Sequence, residues 1–242
     1  SSDLSNEEFV GLSKKQARDI TGGPLPEFFP RSDDTDKNRA ANLADGDKYL
    51  KVIQDAAGDG EVVGEDLGCV PDYVRPNMQD LGIAGFKVCH WEVLGHGETV
   101  PGSDYPECAF ATYATHDHES IPAMWNTLKG MLGGHDHDGA IRGLELLSDF
   151  GGLPKGGSAD CYSDYGPVVK WALFDRLLKS NADYASLMIT DIIDSTERIN
   201  IPGTVGGKNW RFRLPWKLED MPEPLQGECS RLRELIHISG RG

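Results

Sequence analysis

The sequence predicts an α/β protein built on four parallel strands, and two observations support this. Short apolar runs with β-branched or aromatic residues occur at wide intervals along the chain, as is typical of buried strands. Helical patterns lie between them, and strands that alternate with helices favour βα units and a parallel sheet. The four predicted strands are Glu61–Glu65, Gly85–Val93, Ala109–Thr115 and Ser186–Asp191.

The first 60 residues are polar and contain no strand pattern. A helix is predicted over Glu7–Ile20, because Ser5-Asn6 precedes it and a Gly-Gly-Pro sequence ends it. Residues 24–38 carry three prolines and a run of acids, which predicts a loop. A second helix is predicted over Asn38–Ala57, where apolar residues recur with helical spacing.

Five further helices follow from helical spacing of apolar residues in the rest of the chain. The long connection between the third and fourth strands is rich in glycine and is predicted to pass over the face that carries the strand ends. The predicted helices are Pro71–Leu81, Ser120–Leu132, Gly139–Phe150, Tyr165–Lys179 and a closing helix over 227–238.

Composition narrows the classes of function. Twenty-four Lys and Arg residues against 39 Asp and Glu residues give a formal net charge of −15, which disfavours nucleic acids and anionic membranes as partners. The sequence contains no run of about 18 apolar residues, so no transmembrane helix is predicted. Five widely spaced cysteines without a C-x-x-C pair favour reduced thiols, and the opening residues show no signal pattern, so we expect a cytoplasmic protein.

Acidic residues follow two of the predicted strands, and these are the first candidates for chemistry. Glu65 lies just past Val62-Val63, after Gly64, and Asp117 comes after the third strand. Functional groups in parallel α/β sheets lie where the strands end. A carboxyl group at the rim of a pocket can have its pKa raised by burial or by a like charge, which suits a general acid. The alternative is that Asp66 caps the following turn and Glu65 is only solvated.

A metal site is a second interpretation of the same region. His116, His118 and Glu119 are close together, and a His-Asp-His-Asp sequence follows at 135–138. Zinc sites use such ligands, but the helical H-x-x-x-H spacing is missing. On a strand, His116 and His118 would share one face and Asp117 the other. Residues 133–138 are typical of an exposed polar loop, so no metal ligand is assigned.

Aromatic and amide side chains near the predicted strand ends are candidates for binding substrate. Aromatic rings form platforms under the apolar faces of ligands, including sugars. Trp91 and Trp125 are the best candidates, since each is expected just after a strand, although core packing is the alternative for either one. Arg198 and Asn200 precede a Pro-Gly turn beside the fourth strand, where an ordinary solvated loop is the alternative.

Four blocks of sequence stand out around these candidate residues. They are Val63-Gly64-Glu65-Asp66-Leu67-Gly68, Gly82-Ile83-Ala84-Gly85-Phe86-Lys87-Val88, Tyr113-Ala114-Thr115-His116-Asp117, and Arg198-Ile199-Asn200-Ile201-Pro202-Gly203-Thr204 with Asn209-Trp210-Arg211. In their order and spacing, these blocks resemble the 4-α-glucanotransferases of the amylomaltase type, glycoside hydrolase family 77. The resemblance extends from about Gly22 to Pro215.

The resemblance implies a fold, a reaction and a set of roles. The fold would be the second half of a (β/α)8 TIM-type barrel, with residues 1–242 forming the C-terminal portion of one catalytic domain. Glu65 matches the general acid/base, Asp117 the carboxylate that stabilises the transition state, and His116 a neighbour that binds sugar. Apart from the resemblance, Asp66, Trp91, Trp125 and Asn200 are further candidates for binding substrate, because they lie near predicted strand ends. The family transfers segments of α-1,4-glucans and malto-oligosaccharides with retention, and it needs no metal or organic cofactor.

Retention requires a carboxylate nucleophile, because two displacements restore the configuration. The family supplies it from an Arg-Ile-Asp-His-Phe type motif at an earlier strand end, and this chain has no such motif. We therefore expect the chain to be the C-terminal part of a longer enzyme. His118-Glu119-Ser120 departs from the Asn-Asp-Thr of many relatives, which affects substrate preference. A non-catalytic glucan-binding remnant, a metal-dependent hydrolase on a similar barrel and a plain α-glucan hydrolase remain alternatives.

Overall fold

The structure is a computed structural model that describes residues 31–242. The predicted helix over residues 7–20 and the first part of the following loop, residues 24–30, lie outside the described residues. The chain divides into two compact units, the first ending at Gly85 and the second spanning Phe86–Gly242. Whether residues 1–242 belong to one catalytic domain therefore stays a prediction.

The described part of the first unit contains two helices and the beginning of the sheet. Helix α1 (Asp36–Ala57) confirms the helix predicted over residues 38–57. It begins where the Thr35 side chain accepts a hydrogen bond from the Asn38 amide, and it ends at Gly58, whose φ of 59° favours glycine. Strand β1 (Val63–Gly64), helix α2 (Val74–Asp80) and strand β2 (Ala84–Val88) follow.

The second unit contains the end of β2 and the remaining strands and helices. Helices α3, α4, α5 and α7 confirm the predicted helices to within a few residues at each end. The elements are strand β3 (Ala109–Thr112), helices α3 (Ile121–Met131), α4 (His137–Gly151) and α5 (Pro167–Leu178), strand β4 (Tyr184–Ser186), and helices α6 (Ile189–Ile192) and α7 (Glu223–Ile238), with 3-10 turns at Gly102–Asp104, Ala159–Cys161 and Leu218–Asp220.

The strands form one sheet in the order β1-β2-β3-β4. The β1–β2 pair is parallel, with Val63 opposite Ala84. The β3–β4 pair is also parallel, with Phe110 opposite Tyr184 and Thr112 opposite Ser186. Helix α2 connects β1 to β2, and helices α3, α4 and α5 connect β3 to β4, so both parallel pairs are joined by βα crossovers. The predicted parallel α/β architecture is confirmed.

All four predicted strands have bounds that differ from the observed ones, and two of them extend five residues too far. The second strand stops at Val88 rather than Val93, because the chain turns back and Val93 pairs with Thr99 in an isolated antiparallel bridge. The fourth strand occupies Tyr184–Ser186 rather than residues 186–191. Ile189–Ile192 forms α6 instead, since the Asp191 carboxylate accepts the Met188 amide and favours a helical turn there.

The core of the second unit lies among β3, α3, α4 and α5. Tyr113, Trp125, Leu144, Leu173 and Phe174 are all nearly inaccessible to solvent. Within residues 31–242, no helix is long and apolar enough to cross a membrane. The five cysteines of the chain are free thiols. The packed core holds the loops after β3 and β4, which carry the candidate site.

Candidate active site

The loop after β3 presents His116 and Asp117 on a tight turn. The His118 amide donates to the Thr115 carbonyl at 3.0 Å, and the Thr115 hydroxyl lies 2.8 Å from Nδ1 of the His118 ring. The third strand was predicted to extend to Thr115, but β3 ends at Thr112, and these bonds form a turn beyond it. His116 and His118 therefore lie on a turn and not on one face of a strand.

Two side chains contact the Asp117 carboxylate. The Asn200 amide nitrogen donates to Oδ1 at 2.6 Å, and Nε2 of His116 lies 3.3 Å from the same oxygen. The Asp117 side chain is 35% exposed, so solvent reaches the carboxylate. The structure thus brings together Asp117, His116 and Asn200, three of the predicted site residues.

The loop after β4 also donates hydrogen bonds to the backbone of this turn. The Arg198 guanidinium donates to the Asp117 carbonyl at 2.6 Å and to the Asn200 carbonyl at 3.3 Å. The Asn200 amide donates to the His116 carbonyl at 3.1 Å. Because these bonds link two different loops, the position of the Asp117 carboxylate depends on both.

A buried carboxylate anchors the two loops at their base. Asp191 accepts the Ile121 amide at 2.7 Å, at the start of α3, and the Met188 amide at 3.2 Å, at the start of α6. The Ser120 hydroxyl adds a bond to the Ser195 carbonyl at 2.6 Å. Burial raises the pKa of Asp191 to about 6, against the lowering effect of the two amide donors.

Trp210 lies beside His116 in an unusual conformation. Its φ is 59°, in the left-handed region, which costs a non-glycine residue about 1–3 kcal/mol. Its ring centroid is 4.9 Å from that of His116, and the residue is 61% exposed. The chain thus holds a large, exposed aromatic residue next to His116, which itself contacts the candidate carboxylate.

A second exposed aromatic residue, Trp91, contacts His118 of the same turn. Trp91 is 47% exposed, and its ring centroid lies 4.9 Å from that of His118, edge to face. It follows the end of β2, as predicted. The neighbouring His90 is buried, and burial lowers the pKa of its ring to about 4, so this imidazole is neutral near pH 7.

The acidic pair of the first unit is arranged differently. Glu65 is exposed directly after β1, whereas the Asp66 side chain is buried. Nε of Arg75 in α2 lies 2.8 Å from the Asp66 carboxylate, so this carboxylate joins β1 to α2 through an ion pair. A Cβ atom at Gly85 would lie 3.1 Å from Asp66 Oδ2, which explains the glycine on the neighbouring strand.

Trp125 does not follow a strand directly but lies inside α3, with 1% of its surface exposed. Its indole nitrogen donates to the Ser163 carbonyl at 3.0 Å. Trp125 is therefore a core residue, which was the alternative to its position at a strand end.

The histidine-rich segment at 135–138 is not wholly a loop, since α4 begins at His137. The ring of His137 lies 2.6 Å from the Leu132 carbonyl. Within residues 31–242, no group of three or more His, Cys, Asp or Glu side chains is arranged to hold a metal ion.

Sequence reasoning missed the roles of Trp210 and Asp191. Trp210 belongs to the Asn-Trp-Arg part of one recognised block, but distance along the chain did not place it beside His116. Asp191 was assigned to the end of a strand, whereas it caps a helical turn. The available signal for Asp191 was an acidic residue in an otherwise apolar segment, because a buried carboxylate requires hydrogen-bond partners.

A solvent-accessible carboxylate beyond a parallel strand, with amide, imidazole and guanidinium groups around it, is typical of parallel α/β proteins that bind polar ligands at strand ends. The family of 4-α-glucanotransferases, glycoside hydrolase family 77, matches residues 27–219. The chain belongs to this family.

Named relatives agree with this assignment. The chain is 25% identical over 166 residues to a 4-α-glucanotransferase of Chlamydia trachomatis, covering 66% of this chain and 29% of that protein. It is 26% identical over 207 residues to the 4-α-glucanotransferase of Thermus thermophilus, covering 82% of this chain and 36% of that protein. The chain thus spans about a third of the length of these relatives.

Solved structures show the same fold. An amylomaltase from Streptococcus agalactiae in complex with acarbose superposes with a TM-score of 0.58 at 20% identity, over 81% of this chain and 35% of that chain. Amylomaltase from Corynebacterium glutamicum gives a TM-score of 0.55 at 19% identity, over 76% of this chain and 29% of that chain. The parallel sheet with its helices therefore matches part of a larger α/β fold.

Proposed function

We propose that this chain forms the C-terminal half of a (β/α)8 barrel enzyme that transfers α-1,4-glucan segments between malto-oligosaccharides by a retaining double displacement. The observation that carries the proposal is the Asp117 carboxylate, oriented by Asn200 and His116 after β3 in a chain of this family. Support for an α-glucan substrate comes from the names of the relatives, which are 4-α-glucanotransferases, and from the acarbose complex of the streptococcal amylomaltase.

In this proposal Glu65 acts as the general acid and then as the general base. It protonates the oxygen of the leaving glucan, and in the second displacement it takes the proton from the acceptor 4-hydroxyl. Both steps need a carboxyl group that solvent and substrate reach, and Glu65 is exposed after β1.

Asp117 has a different role, which requires a fixed position. As an ionised carboxylate it stabilises the positive charge that develops at the anomeric carbon in an oxocarbenium-like transition state. The two contacts to Oδ1 leave Oδ2 of Asp117 available for a sugar hydroxyl or for the developing charge. The exposed His116 ring forms a hydrogen bond with a hydroxyl of the donor sugar.

The nucleophile that retention requires is supplied, in this proposal, by a segment outside the 242 residues. The length of the relatives supports this, since the chain covers 29% and 36% of two of them. The rival function, a glucan-binding remnant without catalysis, makes use of the same contacts at Asp117. It differs in predicting no turnover by any protein that carries this chain.

The donor dependence of Glu65→Gln in the full-length protein tests the proposal. With malto-oligosaccharide donors, transfer should fall by about 10²–10⁴, because an amide supplies no proton. With a glycosyl fluoride, whose leaving group needs little protonation, formation of the glycosyl-enzyme should be retained in large part. An equal loss with both donors contradicts the acid/base role of Glu65, and an inactive wild-type protein favours the remnant.

The isolated 242-residue chain provides a second test. A partial barrel exposes strand edges and a face that would pack against other strands. We expect the isolated chain to release no glucose from maltotriose and to self-associate, with activity restored when the upstream half is supplied in trans. A stable monomer with full transferase activity would place the nucleophile within this chain and contradict the proposal.

A further inference from the structure

Trp210 combines two unfavourable features at one residue. Its backbone has φ 59°, a conformation in which a bulky side chain is rare. Its indole is also exposed, at 61% of the residue surface. Residues in such conformations persist when their surroundings enforce them, and they cluster at ligand sites.

The surrounding loop enforces this conformation. The Asn209 side chain closes residues 201–209 into a compact loop, accepting the Ile201 amide at 3.1 Å and donating to the Thr204 hydroxyl at 2.8 Å. The Trp210 amide then donates to the Ile199 carbonyl at 2.8 Å. The bonds at Asn209 and at the Trp210 amide therefore hold the Trp210 backbone in place.

The indole is fixed beside polar groups that suit a sugar. Its ring is 4.9 Å from the His116 ring, tilted at 40°, and His116 contacts Asp117 at 3.3 Å. Asn200 completes the group through its bond to Asp117. A flat apolar surface with hydrogen-bonding groups at its edge matches a pyranose ring, which has C–H groups on its faces and hydroxyls around its rim.

We propose that Trp210 is a stacking platform for one glucose ring of an α-glucan bound at the His116–Asp117 turn. This inference rests on the proposed function, since it requires an α-glucan ligand. It explains why the loop presents a tryptophan in the left-handed region and in solvent, because the bound sugar would cover the exposed ring.

Binding of maltoheptaose to the full-length protein tests the inference. Isothermal titration should show affinity about tenfold weaker in Trp210→Ala and Trp210→Gly, and within about threefold of wild type in Trp210→Phe, which keeps an aromatic surface. Maltoheptaose should also change the tryptophan fluorescence of the wild-type protein, and most of that change should be absent from Trp210→Phe. Val205→Ala is the matched control, because Val205 lies in the same loop and is fully exposed; its affinity should be unchanged.

The glycine variant separates a platform from a structural role. Glycine adopts positive φ without strain, so Trp210→Gly should have a Tm at least as high as that of Trp210→Ala while its glucan affinity stays low. Loss of affinity without loss of stability supports a platform. Loss of transfer rate with unchanged affinity would instead make Trp210 a positioning residue for His116 and would overturn the inference.

The outcomes for the inference and for the proposed function are distinct. If wild-type protein binds maltoheptaose and Trp210→Ala binds it equally well, the platform is wrong and the proposed function stands. If wild-type protein binds no maltoheptaose, the glucan-binding site itself fails, and the platform fails with it.

Discussion

Candidate acids follow two parallel strands in this chain, and their surroundings differ. After β1, Glu65 is exposed while the buried Asp66 beside it is paired with Arg75. After β3, the Asp117 carboxylate is held by Asn200 and His116, and its backbone carbonyl accepts a bond from Arg198. The first candidate acid therefore lies in solvent, and the second is fixed through a neighbouring loop.

This difference matches what the two proposed roles require. A general acid/base exchanges protons and must meet solvent and substrate, so few fixed partners suit it. A carboxylate that stabilises developing charge works best when its position is set before the reaction begins. The pairing of Asp66 also shows that the two acids of an adjacent pair have separate roles, since Asp66 joins β1 to α2.

The largest expected effect comes from Asp117. Asp117→Asn in the full-length protein should lower transfer by about 10³ with malto-oligosaccharide donors and with glycosyl fluorides alike, because positive charge develops at the anomeric carbon in either case. Initial rates with both donors measure this. The control is Asp160→Asn, which changes an exposed acid of the same unit. A loss of transfer rate with only one class of donor would show that Asp117 does not have the charge-stabilising role proposed for it.

Asp191 should make stability depend on pH. Its pKa is raised from 3.8 to about 6, so the native state binds a proton more tightly than the unfolded chain. The free energy of unfolding should therefore fall as pH rises from about 4 to about 6, by on the order of 3 kcal/mol from this group.

Denaturant titrations across this pH range, on wild-type protein and Asp191→Asn, isolate that contribution. The difference in unfolding free energy, wild type minus variant, should decrease between about pH 4 and pH 6 and then level off. The nearby charges of Asp194 and Lys170 are present in both proteins. A difference that does not change with pH would show that Asp191 is not the titrating group.

Asn200 should matter less than the carboxylate it orients. Asn200→Ala removes the side-chain donor to Asp117, and we expect transfer about tenfold slower, equivalent to roughly 1.4 kcal/mol, with little change in stability. Asn126→Ala, at an exposed position on α3, is the control. Wild-type rates in Asn200→Ala would mean that the loop after β4 does not position Asp117.

The smallest expected effect concerns the first unit. Arg75→Met removes one partner of the buried Asp66 carboxylate and should lower the free energy of unfolding by about 1 kcal/mol. Glu65→Gln, at an exposed position, should leave stability unchanged while it lowers activity. Thermal melts of both variants, with Arg233→Met as a surface control, make the comparison. Equal destabilisation by Arg75→Met and Glu65→Gln would contradict the contrast drawn between Glu65 and Asp66.

The sequence was sufficient for the architecture and for part of the site. Hydrophobic spacing predicted α1, α3, α4 and α5, because helical periodicity over three or more turns is a strong signal. It misplaced the ends of β2 and β4, where β-branched residues continue beyond the strand into a turn or a short helix.

Long-range contacts account for what the sequence did not reveal. The pairing of Asp66 with Arg75 and the approach of Trp210 to His116 arise from tertiary packing. Lys170 illustrates the same point, since a lysine is seldom buried, yet this one pairs with Asp194 and Glu228 at 1% exposure. Local patterns carry no information on such partners.

The central claim is that Glu65 and Asp117 serve one reaction, and the distance between their carboxylates tests it most directly. A crystal structure of the full-length protein with a bound malto-oligosaccharide should place both side chains in one cleft around a single glycosidic bond. We expect Glu65 about 5–5.5 Å from the nucleophile and Asp117 within roughly 10 Å of that pair. Side chains found at opposite ends of the sheet, or a glycosidic bond that meets only one of them, would contradict the account.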